Sequence, residues 1–384
     1  MAVQLVLPLC EINAGNSVIQ MRHSVAMPMT LALEAAEKSI GLSDPNPRVG
    51  CVIVDSDGRT VGIGYTQPPG GPHAEIVALQ DAVSRGLPTQ GTTAYVTLEP
   101  CSHFGRTGPC CDALIAAGVI HVIASIADPN PLVAGRGFEK LKASGIAVDV
   151  GMGADSSYEL NIGFFHRMTS GLPWVRMKVA SSLDGRTALG NGVSQWISGE
   201  ESRIDGHSWR ARASAVLTGI GTVLHDRPRL DVRHVPTTCQ PALVIVDSHL
   251  KTPLDAPCIS SNRQVYIYYA NENREKIAHL HALGATTVYM PDNCGKVHLK
   301  GMLMDLGKRE INELHVEAGQ ELNGAFLRNE LVNELIIYLA PKLLGCGRSI
   351  ASIGPFSELS ESIKLKYKSV TQIGQDIRIQ ALVI

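Results

Sequence analysis

The sequence predicts an α/β protein made of two consecutive domains. The chain has 384 residues, which is more than a single compact domain usually contains. Hydrophobic residues make up 45% of the chain, which is enough material for two cores. In both halves, short apolar segments of strand length alternate with segments that read as helices. This alternation is typical of a largely buried sheet covered by helices.

The first half reads as a helix followed by a sheet whose strands alternate with helices. The turn sequence "SDGR" joins the first two strands, and Gly86 closes the second helix. The predicted helices cover residues 30–42, 73–86, 111–118 and 135–145. The predicted strands cover residues 49–55, 60–66, 92–100, 120–128 and 146–151.

The second half restarts the same alternation after a change in composition. Its predicted strands cover residues 174–185, 215–221, 241–247, 264–270, 286–290, 313–319, 334–341 and 377–384. Helices are predicted over residues 273–284 and 324–333. The polar, turn-rich stretch between the halves predicts a linker over residues 151–172, with domains over residues 25–150 and 173–384. Residues 1–24 have neither a basic start nor a cleavage site, and we expect a disordered leader there.

Composition excludes several classes of partner. The net charge is −2 and aromatic residues make up only 5%, which argues against a nucleic-acid partner. No stretch of about 18 uninterrupted apolar residues is present, which argues against a membrane span. The nine cysteines are an odd number spread over a long chain, which favours a reducing cytoplasm over a disulfide framework.

A histidine, a glutamate and a group of cysteines form the pattern typical of zinc deaminases. His73 and Glu75 stand at a predicted helix start, and Cys101 follows a proline after the next strand. Catalytic zinc takes three protein ligands and keeps its fourth position for water, so one imidazole and two thiolates suit this chemistry. Glu75 is the carboxylate that fits proton transfer without being a ligand.

Two alternatives remain open from the residues alone. Cys110 and Cys111 compete for the third ligand position because both lie at the next helix start. A closed structural zinc site made of Cys101, His103, Cys110 and Cys111 is also conceivable, although Glu75 would have no role in it.

Several long motifs carry a resemblance to a known family. "PNPRVGCVIV", "GGPHAEIVAL", "EPCSHFGRTGPC" and "DPNP" followed by "GRGFEKL" resemble the deaminase half of the bifunctional riboflavin-biosynthesis deaminase/reductase family. "MKVASSLDGRTA", "SQWISG", "WRARASAVLTGIGTVLHDRPRLDVR" and "VEAGQELNGAFL" resemble its reductase half, so the resemblance covers about residues 28–384. It implies a cytidine-deaminase-like α/β/α layer domain followed by a dihydrofolate-reductase-like α/β domain. The eight residues between the two cysteines match this family and make Cys110 the ligand.

The family's chemistry implies two reactions on one pyrimidine ribosyl phosphate. Zinc-dependent deamination of 2,5-diamino-6-(5-phosphoribosylamino)pyrimidin-4-one precedes NADPH-dependent reduction of the ribosyl unit to ribityl. By the resemblance, the NADPH contacts are Ala180, Trp196, Thr222, Asp226, Ser248, Gly319, Gln320, Glu321, Leu322, Asn323, Gly324 and Ala325. The implied substrate contacts are Ser194, Arg210, Leu230, Arg233 and Glu317. The family also implies a homo-oligomer, a dimer or a tetramer.

The residues of the second half support this only weakly by themselves. "EAGQELNG" is a Gly-rich turn that can hold phosphate at a helix start, but it is not the dinucleotide fingerprint G-x-G-x-x-G. The loop departs from the family at Phe104 and Gly108, and the roles of Asn46, His103 and Asp184 stay open. The alternatives to the riboflavin enzyme are another zinc deaminase with an accessory domain, and a zinc-stabilised scaffold protein.

Overall fold

A computed structural model describes residues 28–103, 108–130, 134–259 and 262–384. The predicted leader over residues 1–24 lies outside the described residues, as does Phe104 of the cysteine-containing loop.

The first part of the chain forms a five-stranded sheet with helices packed against it. Its strands are β1 (Gly50–Val54), β2 (Thr60–Tyr65), β3 (Thr93–Val96), β4 (His121–Ala124) and β5 (Ala147–Val150). Its helices are α1 (Pro28–Glu37), α2 (Ala74–Ser84), α3 (Cys110–Ala116) and α4 (Arg136–Ala143). The strand order is β2-β1-β3-β4-β5, and β1 runs antiparallel to both its neighbours while the other pairs are parallel. Every element predicted for this half is present and each is shorter than predicted, while α1 begins two residues and α3 one residue before the predicted start.

Two glycines let the helices lie directly on the sheet backbone. A Cβ atom on Gly64 of β2 would lie 2.2 Å from the carbonyl oxygen of Ala74 at the start of α2. A Cβ atom on Gly50 of β1 would lie 1.8 Å from the carbonyl oxygen of Ala32 in α1. No side chain fits at such distances, so Gly50 lets α1, and Gly64 lets the first turn of α2, lie against the sheet.

Two helices lie within residues 151–172, the segment predicted as a linker. These are α5 (Ala154–Leu160) and α6 (Ile162–Ser170). Phe164 and Phe165 are only 8% and 6% exposed and join the apolar core of the first sheet. Most residues of this segment are polar, and its few apolar residues lie together against the core of the first sheet. Burial of the two aromatic rings holds the segment in place.

The second part of the chain is built on a nine-stranded sheet with the order β11-β10-β9-β8-β12-β6-β13-β16-β15. The strands are β6 (Trp174–Ser182), β7 (Arg186–Leu189), β8 (Ala215–Gly219), β9 (Ala242–Val246), β10 (Val265–Tyr269), β11 (Ala285–Tyr289), β12 (Glu313–Val316), β13 (Glu334–Ala340), β14 (Gly347–Ser349), β15 (Leu365–Ile373) and β16 (Asp376–Val383). The helices are α7 (Glu200–Arg212), α8 (Ile220–Asp226), α9 (Arg274–Ala282), α10 (Leu299–Lys308) and α11 (Gln320–Arg328). Strands β7 and β14 pair separately.

Both faces of this sheet are covered. Val244 and Val246 of β9 belong to one apolar core, and Leu243 and Ile245 of the same strand belong to another. Successive side chains of a strand point to opposite faces, so the two cores lie on the two sides of the sheet. The near-continuous apolar strands that the sequence shows follow from this double burial.

Several elements of the second part are absent from the predictions. Strand β15 is exposed along most of its length, so it lacks the apolar pattern of a buried strand. Helix α7 buries Ser202, Gly206 and His207, which give no apolar periodicity. Among the described residues, no helix is both long and apolar enough to cross a membrane.

Candidate functional site

Three potential metal ligands from separate parts of the sequence meet beside the start of α2. His73 is the residue before α2, Cys110 is the first residue of α3, and Cys101 lies in the loop after β3. Nδ1 of His73 lies 3.3 Å from Sγ of Cys110 and 3.6 Å from Sγ of Cys101. In the part of the chain that the structure describes, the three ligand atoms lie within 4.8 Å of one another. One imidazole and two thiols form a donor set that zinc prefers.

A hydrogen bond joins the two thiols of this group. A hydrogen bond from the Cys110 thiol, and then contact with His73, lowers the pKa of Cys101 to about 4 despite its burial. The pKa of Cys110 is raised by the same hydrogen bond. The backbone N–H of Cys110 also donates to Sγ of Cys101 over 3.3 Å, at the start of α3. The thiolate form of Cys101 is therefore stabilised at the place where a metal ion would need a thiolate ligand.

Cys111 points away from this group. Its Sγ hydrogen-bonds to the carbonyl oxygens of Pro100 at 3.3 Å and Gly137 at 3.5 Å. The structure thus places Cys110, rather than Cys111, with His73 and Cys101. It does not assemble the four residues of a closed structural zinc site, since His103 is exposed at the edge of the loop.

Glu75 is buried next to the ligand group. Its side chain stands on the first turn of α2, and the residue is only 3% exposed. Burial, and then the charge of Cys101, raises the pKa of Glu75 to about 7. A carboxyl group with a pKa near neutrality can both accept and donate a proton at working pH, which suits a general acid and base.

Glu99 is a buried acidic residue beside the ligands that the sequence predictions overlook. Its carboxylate accepts hydrogen bonds from the backbone N–H groups of Asp128 (3.2 Å), Gly135 (2.9 Å) and Gly137 (2.9 Å). Burial raises the pKa of Asp128 to about 6. Glu99 therefore joins the backbone of Asp128, Gly135 and Gly137 to the segment just before Cys101. An acidic residue directly after a buried strand is the sequence signal that points to such a role.

The other residues with open roles are placed as follows. Asn46 forms a turn through its N–H and the carbonyl oxygen of Ser43. Asp184 accepts hydrogen bonds from the Ser182 hydroxyl (2.5 Å) and the backbone N–H of Gly345 (2.7 Å). Asp184 therefore fixes the turn between β6 and β7 to the segment after β13, as expected for a turn residue.

A second candidate site lies in the second part of the chain, in a cavity of about 1040 Å³. All five predicted substrate residues line it, namely Ser194, Arg210, Leu230, Arg233 and Glu317. Eight predicted cofactor residues line it as well, namely Ala180, Trp196, Thr222, Asp226, Gly319, Gln320, Glu321 and Leu322. The start of α11 opens onto the cavity at Gly319, where nothing lies within 4 Å of the position a Cβ would take. The cavity thus has room and helix-terminal N–H groups for a nucleotide.

Four predicted cofactor residues do not line this cavity. Ser248 accepts a hydrogen bond from the Val297 N–H over 3.1 Å. Asn323 donates to the carbonyl oxygen of Ile350 over 2.9 Å, and a Cβ on Gly324 would lie 2.1 Å from the carbonyl oxygen of Ser352. Asn323, Gly324 and Ala325 belong to α11 past its first turn, and the first two pack on the segment after β14.

The cavity floor carries one carboxylate surrounded by cations. Glu317 accepts hydrogen bonds from two nitrogens of Arg210, of which Nη2 lies 2.9 Å from Oε2. Lys178 Nζ lies 3.6 Å from the same oxygen, and His315 Nε2 lies 3.4 Å from Oε1. Burial alone would raise the pKa of Glu317, but the charges of Arg210 and Lys178 hold it well below its usual range. Lys178 is absent from the predictions because a single lysine within an apolar strand gives no motif.

Comparison with known proteins finds relatives for both halves of the chain. Residues 23–126 match the family model of the cytidine and deoxycytidylate deaminase zinc-binding region, and residues 173–379 match that of the RibD C-terminal domain. The riboflavin biosynthesis protein RibD of Escherichia coli K12 is 42% identical over 360 residues, covering 91% of this chain and 96% of the relative. The chain belongs to the RibD family. The resemblance stated above is thereby confirmed.

Solved structures of RibD proteins have the same fold. Acinetobacter baumannii RibD is 41% identical, with a TM-score of 0.85 over 93% of this chain and 98% of that one. A diaminohydroxyphosphoribosylaminopyrimidine deaminase/5-amino-6-(5-phosphoribosylamino)uracil reductase from Thermotoga maritima is 32% identical, with a TM-score of 0.84 over the same shares. A cytidine-deaminase-like domain followed by a RibD reductase domain is therefore confirmed. The relatedness spans both halves, so the second half is more than an accessory to a simple deaminase.

Proposed function

We propose that this chain performs two consecutive reactions on one pyrimidine. It hydrolytically deaminates 2,5-diamino-6-(5-phosphoribosylamino)pyrimidin-4-one and then reduces the ribosyl side chain to ribityl. As a member of the RibD family, it is a bifunctional deaminase and reductase of riboflavin biosynthesis that uses Zn²⁺ and NADPH. The observation that carries the proposal is the ligand group with buried Glu75 in a chain that also contains the Glu317 cavity.

Deamination is assigned to the first domain, residues 25–150. His73, Cys101 and Cys110 would hold zinc, since their donor set and mutual distances fit it. Zinc, when bound, lowers the pKa of a water molecule so that the water can attack near neutral pH. Glu75 accepts one proton from the attacking water and passes it to the ring nitrogen; it then accepts the second proton from the hydroxyl formed on the ring carbon and passes it to the departing ammonia. A C–O bond forms and the C–N bond to the amino group breaks.

Reduction is assigned to the second domain, residues 173–384. NADPH, when bound, supplies the hydride, and the task of the protein is to align the two reactants. The positive charges of Arg210 and Arg233, which line the cavity, suit the negative charge of a ribosyl phosphate. Glu317 anchors Arg210 and Lys178 on the cavity floor, which keeps these cations in one arrangement before the substrate arrives.

The two reactions separate in a single assay of the purified protein. Ammonia is expected from the diaminopyrimidinone substrate when no NADPH is present, because the ligand group and the cavity are different sites. NADPH oxidation is expected only once deaminated product has formed. Ammonia release that requires NADPH would contradict two separate sites.

We propose that this chain binds a small phosphorylated pyrimidine and has neither a nucleic acid nor a membrane as a partner. We place the protein in the cytoplasm. We also propose that it assembles as a homo-oligomer, a dimer or a tetramer, through the second domain. Strand β15 supports this because it forms the edge of the nine-stranded sheet. Its Tyr367 and Val370 are 68% and 61% exposed, and an exposed apolar edge strand favours pairing with another strand.

Light scattering tests the assembly. The unmodified protein is expected at two or more times the 41.1 kDa of one chain. Val370→Lys is expected to lower this mass, because a lysine on an edge strand opposes pairing. Val83→Lys is the matched control, since Val83 is 75% exposed on α2 of the first domain. A monomer mass for the unmodified protein would contradict the proposal.

A further inference from the structure

A buried arginine connects the first part of the chain to the second. Arg48 is only 3% exposed, although it precedes β1 of the first sheet. Its Nη1 lies 2.7 Å from Oε1 of Glu313, a residue 265 positions later on β12. Nη1 also donates to the carbonyl oxygen of Leu160 (3.0 Å), and Nη2 donates to that of Arg212 (2.7 Å). A buried charge is stable only when it has partners of this kind, so the contact is a specific feature of the fold.

Glu313 is held independently from its own side. Its second oxygen, Oε2, accepts hydrogen bonds from Arg176 Nη1 (2.5 Å) and Arg212 Nε (2.9 Å). Arg176 in turn donates to Glu334 over 2.9 Å. Glu313 is 1% exposed and keeps two guanidinium partners even without Arg48. The second part therefore presents a fixed carboxylate oxygen to Arg48.

The backbone around Arg48 is clamped to the same interface. The Arg48 N–H donates to Asn161 Oδ1 over 2.7 Å, and Asn161 Nδ2 donates back to the Arg48 carbonyl oxygen over 2.9 Å. Asn312, which precedes Glu313, donates to Asp44 Oδ1 and to the Pro45 carbonyl oxygen, both at 3.0 Å. The segment of residues 44–48 is thus held at both ends, at one end by the residue before β12 and at the other by Asn161 and Glu313.

This segment leads directly into the deaminase site. Cys51, three residues after Arg48, is fully buried in β1 and pairs with Gly64 of β2. Gly64 in turn lies directly against the backbone of Ala74, the residue before Glu75. Asn46 belongs to the same segment, which precedes β1 in the sequence. A shift of residues 44–48 would therefore move β1 and, through it, the backbone beside Glu75.

We propose that Arg48 and Glu313 are positioning residues for deamination, through which the reductase half holds residues 44–50 in the arrangement that the first site needs. The inference rests on the assignment of deamination to the site of Glu75. Glu317 directly follows the same strand, four residues after Glu313, so one strand joins the deaminase segment to the second cavity.

Arg48→Met in the full-length protein tests this inference. Methionine keeps the apolar stem, and Glu313 retains Arg176 and Arg212, so the second part should keep its structure. We expect kcat/KM for ammonia release to fall about tenfold, since small misplacements near a reacting group have effects of this size or larger. NADPH oxidation on pre-deaminated substrate should stay within about twofold of the unmodified rate. Arg48→Lys, which keeps the charge but not all three contacts, should recover part of the loss.

Lys368→Met is the matched control. Lys368 Nζ makes ion pairs with Glu159 (2.6 Å) across the same interface and with Glu334 (3.3 Å), and both partners lie outside residues 44–50. This variant should deaminate normally. Deamination by Arg48→Met at the unmodified rate would overturn the inference, and so would an equal loss of both reactions. Glu75→Gln separates an error in the positioning role from an error in the assignment of deamination to Glu75. Only an error in that assignment would leave Glu75→Gln active.

Discussion

Glu75→Gln will lower the rate of ammonia release by about 10²- to 10⁴-fold, the range that general acid and base catalysis contributes. Glutamine matches glutamate in size, but its amide cannot accept the proton of an attacking water or pass it on. Burial holds the pKa of Glu75 at about 7, so the native carboxyl is divided between its two forms near neutrality. Ammonia release under steady-state conditions measures this loss.

Bound zinc should be unchanged in the same variant, because Glu75 lies outside the group of His73, Cys101 and Cys110. Asp81→Asn is the matched control. It makes the same carboxyl-to-amide change on α2, where Asp81 only accepts a hydrogen bond from the Ile63 N–H and pairs with Arg85. The control should release ammonia normally. Persistent ammonia release by Glu75→Gln would remove Glu75 from the reaction.

The neighbouring thiols of Cys110 and Cys111 should differ sharply in their importance for zinc. Cys110→Ser is expected to weaken zinc binding by more than about 100-fold, which exceeds the effect of losing a residue that only supports a ligand. Cys111→Ser should keep its zinc, because a serine hydroxyl can still donate to the carbonyl oxygens of Pro100 and Gly137. Metal analysis after dialysis measures both.

These two variants control for each other. Both cysteines are fully buried at the start of α3, so loss of a buried sulfur is common to the two substitutions. Equal loss of zinc in both would indicate damage to α3 rather than loss of a ligand. Zinc lost only from Cys111→Ser would contradict the ligand assignment made from the structure.

Much of the first site follows from local sequence pattern. The H-x-E pair, Cys110 and Cys111 stand at helix starts, and such starts are signalled by proline, glycine and the apolar period around them. The residues alone leave Cys110 and Cys111 equivalent, since neighbours at a helix start cannot be separated by spacing. The structure separates them by direction, because the Cys111 thiol points to the Pro100 and Gly137 carbonyl oxygens.

The features that the predictions lack depend on contacts between distant residues. Phe164 and Phe165 pack into the first core, yet the stretch around them reads as a polar linker. Arg48 and Glu313 look like surface charges in sequence, and only the meeting of the two halves buries them. Lys178 lies within an apolar strand and gains its meaning from Glu317, 3.6 Å away on another part of the chain. Burial and pairing of this kind are tertiary properties.

The most direct test of the central claim is a count of ammonia and NADPH in one reaction with the diaminopyrimidinone ribosyl phosphate. We predict one ammonia released and one NADPH oxidised for each pyrimidine consumed, with ammonia appearing first. Omission of NADPH should stop the reaction after deamination without slowing ammonia release. NADPH oxidation that runs ahead of ammonia, or ammonia with no subsequent NADPH oxidation, would contradict a chain that carries both reactions.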